Sequence, residues 1–266
     1  MELGLSGKVV LVTGSSKGIG RSIAAAFARE GCKVVINGRG GAELESAAAE
    51  MRKAKGTVHT VAADVMEASG AKRVVEETVR EFGTIHVLVN NAGGVGRFAP
   101  FEVLTDEEWI DVFKLNVLSA VRVTRAALPH MQKQKWGRII NISSESGTQP
   151  DPIMPHYNAS KSALNSLTKS LSKAYGKDNI LINTVSPAFI RTPLVDQMLG
   201  QEAKTRGISV DQAEQALLKE FRPNILLGRA GRPDETAGIV VFLASDQASF
   251  ITGSNYRVDG GSVASI

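Results

Sequence analysis

Cysteine is almost missing from this chain: Cys32 is the single one among 266 residues. One thiol cannot close an intramolecular disulfide, so the fold must rest on burial alone, and a reducing compartment, the cytoplasm, is the expectation. Aromatic residues are also sparse, at 5%. The four histidines, His59, His86, His130 and His156, form no pair at ligand spacing on a predicted helix, so no metal site is expected. No apolar run is long enough to cross a bilayer, and no basic stretch followed by an apolar one opens the chain, so a protein off the membrane is expected. Charge does not gather into blocks either. The net charge of +4 comes from lysines and arginines interleaved with acids, as in Glu76 to Glu81. The one basic knot, Lys133 to Arg138, is short and reads as a solvated helix end, not as a surface for nucleic acid.

What the chain does hold is 43% hydrophobic residues, enough for one well-buried domain. Short apolar runs alternate with amphipathic stretches. Strands are predicted at Lys8–Thr13, Lys33–Asn37, Thr57–Ala62, Ile85–Val89, Arg138–Ile142, Ile180–Val185 and Tyr256–Val258. Between them stand helices: Ser22–Arg29, Ala42–Lys55, Glu67–Phe82, a long one opened by the capping box Thr105–Glu108, one carrying Tyr157, and Asp234–Ala244. Such alternation predicts an α/β fold: one domain over 1–266, a doubly wound parallel sheet with helices on both faces, and ligands at the strands' C-terminal ends. The stretch 193–232 is long for a connection and is expected to be a substrate lid. Within it Ser209 and Gln212 cap a helix predicted to turn Ala213, Ala216, Leu217 and Phe221 inward.

Two local patterns carry chemistry. Gly14-Ser15-Ser16-Lys17-Gly18-Ile19-Gly20 follows a strand and opens a helix. Glycines there permit a tight turn and close backbone approach, and a helix N-terminus offers free N–H groups to a pyrophosphate. Tyr157 and Lys161 stand four apart on a helix and share a face. A free phenol titrates near ~10, and a neighbouring ammonium favours the phenolate.

Taken together, TGSSKGIG (Thr13–Gly20), Asp64-Val65, NNAG (Asn90–Gly93), Asn116, Ser144, YNASK (Tyr157–Lys161) and NTVSPAFIRT (Asn183–Thr192) resemble the short-chain dehydrogenase/reductase family, in its order and spacing, over about Leu5–Gly261. The resemblance implies a Rossmann-type oxidoreductase that interconverts a ketone and a secondary alcohol. It implies that Tyr157 is the general acid/base, that Lys161 lowers its pKa and holds the nicotinamide ribose, that Ser144 polarises the substrate oxygen, and that Asn116 orders a water in the proton relay. Ser143 and Ser146 are alternatives to Ser144, which register favours. The turn residues Gly14, Ser16, Lys17, Gly18, Ile19 and Gly20 would cradle the pyrophosphate, and Asp64 with Val65 would frame the adenine. Asn91, Ala92 and Gly93 would bind ribose or brace the sheet. Pro187, Ile190 and Thr192 would meet the nicotinamide. Ala188 departs from the family's usual glycine, which puts that loop's geometry in question.

Cofactor choice has its own signal. In NAD-specific relatives of this fold an acid ends the second strand and binds the ribose hydroxyls. Here Gly38 stands in that place, Arg39 follows, and Lys17 lies in the glycine-rich turn, so NADP(H) is expected. The substrate is less legible: Glu145, His156 and Arg97 are polar candidates for its pocket. A 3-oxoacyl thioester is the alternative to a simple ketone, with Lys135 in favour and Asp178 against. A non-catalytic NADP-binding protein is the reading from a different class. The resemblance further implies a homotetramer, pairing the helices around Trp109–Met131 and Ser160–Ala174.

Overall fold

The computed structural model describes residues 2–265. The strands are β1 (Val9–Val12), β2 (Lys33–Gly38), β3 (Thr57–Ala62), β4 (Val87–Asn90), β5 (Gly137–Ile142), β6 (Ile180–Pro187) and β7 (Asn255–Val258). They form one sheet in the order β3-β2-β1-β4-β5-β6-β7, and every pairing is parallel. The order reverses between β1 and β4. Loops leaving these two strands diverge to opposite faces, and a crevice opens at their C-terminal ends.

The helices are α1 (Gly18–Arg29), α2 (Ala42–Lys53), α3 (Ala68–Phe82), α4 (Asp106–Phe113), α5 (Ser119–Gln134), α6 (Pro155–Tyr175), α7 (Pro193–Arg206), α8 (Val210–Phe221) and α9 (Pro233–Ala244). Strand periodicity sorts the core into two layers. Val10, Val12, Val34, Ile36, Ile140 and Ile142 pack against Phe27 of α1, Leu44 of α2 and Leu243 of α9. Their neighbours Leu11, Val35 and Ile139 point to the other face and pack with Val74 of α3 and Val123 and Met131 of α5. Both faces being covered is why these strands read as continuous apolar runs with no alternation.

Polar residues pin the ends of the central strands. Asn90 Nδ2 donates to Thr124 Oγ1 of α5 at 3.0 Å and to Asn141 Oδ1 of β5 at 2.8 Å. Asn141 Nδ2 donates to Thr168 Oγ1 of α6 at 2.8 Å, and Thr184 Oγ1 of β6 donates to the same hydroxyl at 2.8 Å. All are buried, so a shift of register would strand each of them without a partner.

Two expectations need correction, the basic knot and the inward turn of Phe221. The basic knot is not one solvated helix end: Lys133 is exposed, but Gly137 opens β5 and carries Arg138 inside at 2% exposure. The Arg138 guanidinium lies 4.2 Å from the Trp136 ring and donates to the Gly137 and Asn179 carbonyls. The stretch 193–232 holds a helical pair, α7 and α8, each capped by a hydroxyl, Thr192 and Ser209, the second being the helix expected there. The pair has a small core of its own, Leu199, Ala203 and Ala213. Within it Phe221 turns outward, at 49% exposure, and Leu218 takes the buried position. The long helix expected after the Thr105–Glu108 capping box is present as α4 and α5, joined without a break by a π turn over Lys114–Leu118, with Asn116 inside it.

Candidate active site

At the C-terminal edge of the sheet a cavity of about 450 Å³ runs from the end of β2, past the glycine-rich turn, to α6 and the start of α7. Every residue expected to be catalytic or to hold the cofactor lines it except Asn116 and Ile190, whereas the substrate candidates Arg97, Glu145 and His156 do not.

One half of this cavity is backbone. Gly14 and Gly18 have φ of +59° and +58°, values costly for residues with a Cβ. A Cβ on Gly14 would stand 2.8 Å from Ala92 Cα, and one on Gly20 would stand 2.5 Å from the Gly14 carbonyl oxygen. The turn is thus packed as closely as glycine allows, and it leads straight into α1. Lys17, the N-cap residue of α1, gives the helix no side-chain cap, so the first-turn N–H groups face the cavity side with their dipoles aligned. Asn91 holds this cradle: its Nδ2 donates to the Thr13 and Gly14 carbonyls at 3.0 and 2.8 Å. The structure therefore gives Asn91 the bracing half of its expected role. Asn37, Met66, Leu115 and Leu194 also line the cavity. Of these, Asn37 had a sequence signal, a carboxamide inside the apolar run of β2. It donates to the Val61 and Ala63 carbonyls at 3.0 Å each, and so fixes the mouth between β2 and β3.

The other half is side chains. Ser144 leaves the end of β5, and α6 begins at Pro155, two residues ahead of Tyr157, so Tyr157 and Lys161 face the cavity one turn apart. Lys161 Nζ donates to the Ile142 carbonyl at 2.9 Å and lies 5.6 Å from the Tyr157 ring centroid. Burial pushes its pKa down to about 8. Burial raises the Tyr157 phenol, the Ser144 hydroxyl draws it down again through a side-chain hydrogen bond, Glu145 raises it and Arg222 lowers it. The help expected from Lys161 at the phenol is thus not direct in this arrangement. The local agents are Ser144 and, further off, Glu145 and Arg222. Ser144 also accepts from the Ser146 N–H at 3.2 Å. Ser143 donates to the Lys161 carbonyl at 3.2 Å, which leaves Ser144 as the hydroxyl beside Tyr157.

Asn116 is placed behind this wall. Its Oδ1 accepts from the Gly94 N–H and its Nδ2 donates to the Gly94 carbonyl, both at 2.9 Å, with a further bond to Ser160 Oγ at 3.0 Å. It clamps the loop after β4 to α6. Ile190 is buried and lines a second cavity with Gly231 and Val258, so its side chain turns away from the nicotinamide end. Ala188 causes no strain, since positive φ among the non-glycine described residues is confined to Lys55, Lys135 and Asn179.

The polar candidates for the substrate separate. Arg97 pairs with Glu108 at 2.8 Å on the surface. His156 is fully buried near Trp109, with both ring nitrogens unpartnered among the described residues, and burial lowers its pKa, so it is neutral near pH 7. Glu145 is buried beside Arg222.

A glycine cradle at a sheet switch point, facing a Ser-Tyr-Lys wall across one cavity, defines a nicotinamide-dependent oxidoreductase of the Rossmann class. Residues 8–203 match the family model described as short chain dehydrogenase, and the chain belongs to that family. It is 39% identical over 266 residues, all of both chains, to the uncharacterized oxidoreductase YvrD of Bacillus subtilis. It is 36% identical to a 3-oxoacyl-[acyl-carrier-protein] reductase, FabG, of Thermotoga maritima, covering 97% of this chain and 99% of that one. Its fold superposes with a TM-score of 0.95, at 36% identity and full coverage of both chains, on an L-sorbose reductase from Gluconobacter frateurii complexed with NADPH and L-sorbose. The protein is an oxidoreductase that interconverts a ketone and a secondary alcohol.

Proposed function

We propose that this protein uses NADP(H), with Tyr157 as general acid/base, on a small ketone or its secondary alcohol. The single observation that carries this reading is the shared cavity, with the cradle at one end and Ser144, Tyr157 and Lys161 at the other. The close-packed Gly14 and Gly20, where a Cβ would collide with backbone, suit a pyrophosphate against the first turn of α1. Arg39 lines the cavity just past Gly38 and has no ion-pair partner among the described residues, whereas Lys17 is shared with Glu43 at 3.4 Å. Arg39 is therefore the principal ligand for a 2′-phosphate, with Lys17 in support.

When bound, NADP(H) would supply hydride chemistry at the carbonyl or carbinol carbon. The rest falls to the chain. Ser144 donates to the substrate oxygen and holds it beside Tyr157. Tyr157 gives its proton to that oxygen in reduction and takes it back in oxidation. Lys161 sits on the Ile142 carbonyl, where its ammonium favours the phenolate over a distance and would hold the nicotinamide ribose. Asn116 keeps Gly93 and Gly94 in place. Tyr157→Phe removes the proton donor, so turnover should fall by ~10²–10⁴ or more while NADPH binding by fluorescence persists. Ordinary turnover in that variant would overturn the assignment.

A longer acyl substrate is the second reading. It is favoured by Leu194, which lines the cavity at 74% exposure, and by Met198 one turn further along α7 at 40%. A panel of ketoses, diones and 3-oxoacyl thioesters, assayed in both directions, separates the two. The α7–α8 pair is the proposed lid, a homotetramer the proposed assembly, and the cytoplasm, where the buried thiol of Cys32 stays reduced, the proposed location.

A further inference from the structure

Arg222 ends α8, and three parts of the site meet on its side chain. Its Nη1 donates to Asp151 Oδ2 at 2.6 Å, and its Nε stands 3.4 Å from Glu145 Oε1. Glu145 follows Ser144 directly. The Asp151 carbonyl accepts from Asn158 Nδ2 at 2.6 Å, and Asn158 follows Tyr157 directly. The side chains of Arg222, Glu145 and Asp151 are only 19%, 6% and 15% exposed. Charge-assisted bonds in such shelter are stronger than their surface equivalents. One guanidinium thus joins the far end of the lid to the loop of Ser144 and to the helix of Tyr157.

We infer that Arg222 is a positioning residue for the reaction: through Glu145 and Asp151 it couples the seating of the lid to the placement and protonation of the Ser144–Tyr157 pair. The charges around it make this more than a tether. Glu145 faces Arg222, Asp151, Asp259 and the Ser262 hydroxyl, and its Oε2 has no hydrogen-bond partner among the described residues. Arg222 is therefore the cation paired with both Glu145 and Asp151, while Asp259 adds a further negative charge near Glu145. Tyr157 in turn feels Ser144, Glu145 and Arg222, with opposite signs from the last two, and has Lys161 on its own helix. Losing Arg222 leaves Glu145 uncompensated, which makes the phenol harder to ionise.

This inference rests on Tyr157 being the acid/base, and the test keeps the two apart. It is the pH profile of kcat/KM for alcohol oxidation, which needs the phenolate, measured with Arg222→Gln, Arg222→Lys, Glu145→Gln and the double variant Arg222→Gln/Glu145→Gln. Arg222→Gln should move the acid limb up by roughly 0.5–1 pH unit and raise KM. Arg222→Lys should keep the limb near its original place. The double variant should bring the limb back while KM stays high, because the charge is rebalanced and the anchor is still missing. If Arg222→Gln does not fold, Glu145→Gln alone decides: its limb should move down. A limb that stays put in Arg222→Gln, or in Glu145→Gln, with activity falling only in step with the melting temperature, overturns the inference and leaves Arg222 as structural glue. Full activity in Tyr157→Phe would instead bring down the acid/base assignment beneath it.

Discussion

Lys161 shows how this site trades stability for chemistry. An amine held inside at 4% exposure has its pKa lowered by burial to about 8, from an ordinary 10.5. A lowered amine pKa means that the folded state binds fewer protons than the unfolded state between about pH 8 and 10.5. The burial penalty is therefore complete below pH 8, and stability rises with pH through that window. At ~1.4 kcal/mol per unit the penalty is up to ~3 kcal/mol, offset by ~1 kcal/mol for the bond to Ile142. Lys161→Met should lose activity yet unfold at an equal or higher temperature at pH 7, and the variant should lack the rise above pH 8. The comparison must be made as a difference from the unmutated protein. Cys32, pushed up to about 12 chiefly by burial, contributes the opposite slope above pH 9. A clear fall in melting temperature at pH 7 for Lys161→Met would contradict this account. At the other end of the cavity, Arg39→Ala should weaken NADPH and leave NADH nearly unchanged. A charge-assisted bond is worth ~1.5–3 kcal/mol, so a preference for NADPH of about tenfold or more in kcat/KM should largely vanish. Equal use of NADH by the unmutated protein would defeat the assignment.

At the scale of elements, the proposed lid is the part most open to test. The α7–α8 pair has a core of its own, separate from the two layers of the sheet. It is tied to the body by a few polar contacts: Arg191 to Glu214 at 3.0 Å, the Ala230 N–H to Glu214 Oε1 at 3.1 Å, and the Arg222 cluster. Few buried apolar contacts to the body imply a low free energy of local opening. Amide exchange across 193–221 should be faster than in β4 or β5, and should slow when cofactor and substrate are both bound. Equal, strong protection with and without them would show a fixed wall. Elements were also where sequence reading did best. Short runs bounded by glycine and polar turns found every strand of the sheet, though the last, β7, had only the three residues Tyr256–Val258 to show. The capping boxes Thr105–Glu108 and Ser209–Gln212 are both present as read. What failed had no local signal. Arg138 sits in an apolar strand, and only the ring of Trp136 and two carbonyls, brought in by the fold, make its burial tolerable. Ile190 belongs to the right motif, but which way a side chain points off a loop depends on what packs behind it, here Gly231.

At the scale of the whole molecule, the fold and the cavity were legible because the motifs fall at strand ends, which the topology gathers on one edge. Long-range polar geometry was not legible. Glu145 and Arg222 are distant in sequence, and nothing in either segment points to the other. Assembly belongs to this scale as well. Phe101, Ile110 and Leu118, on and beside α4, are 67%, 52% and 40% exposed, and Phe250 is fully exposed. Exposed apolar side chains on and beside one helix, as Phe101, Ile110 and Leu118 are, suit contact with further copies. Light scattering at micromolar concentration should give a mass near four chains, and a monomer there would refute the homotetramer.

The π turn at Lys114–Leu118 bears on how this chain can change in length. A π turn holds one residue more than an α turn of the same span, so the α4–α5 rod behaves as an ordinary helix with one residue inserted and never smoothed out. Deleting one residue of that turn would leave an ordinary helix with α4 and α5 still in phase, because five residues of π winding sweep about the same angle as four of α winding. Winding all five into α geometry would instead rotate α5 by about 100° against α4. Asn116 would then swing off Gly94, or α5 would lose its match to Asn90 through Thr124. The surplus residue is thus the joint that lets one rod answer to two partners, the loop at the site and the sheet below it, whose angular positions a uniform helix could not satisfy together.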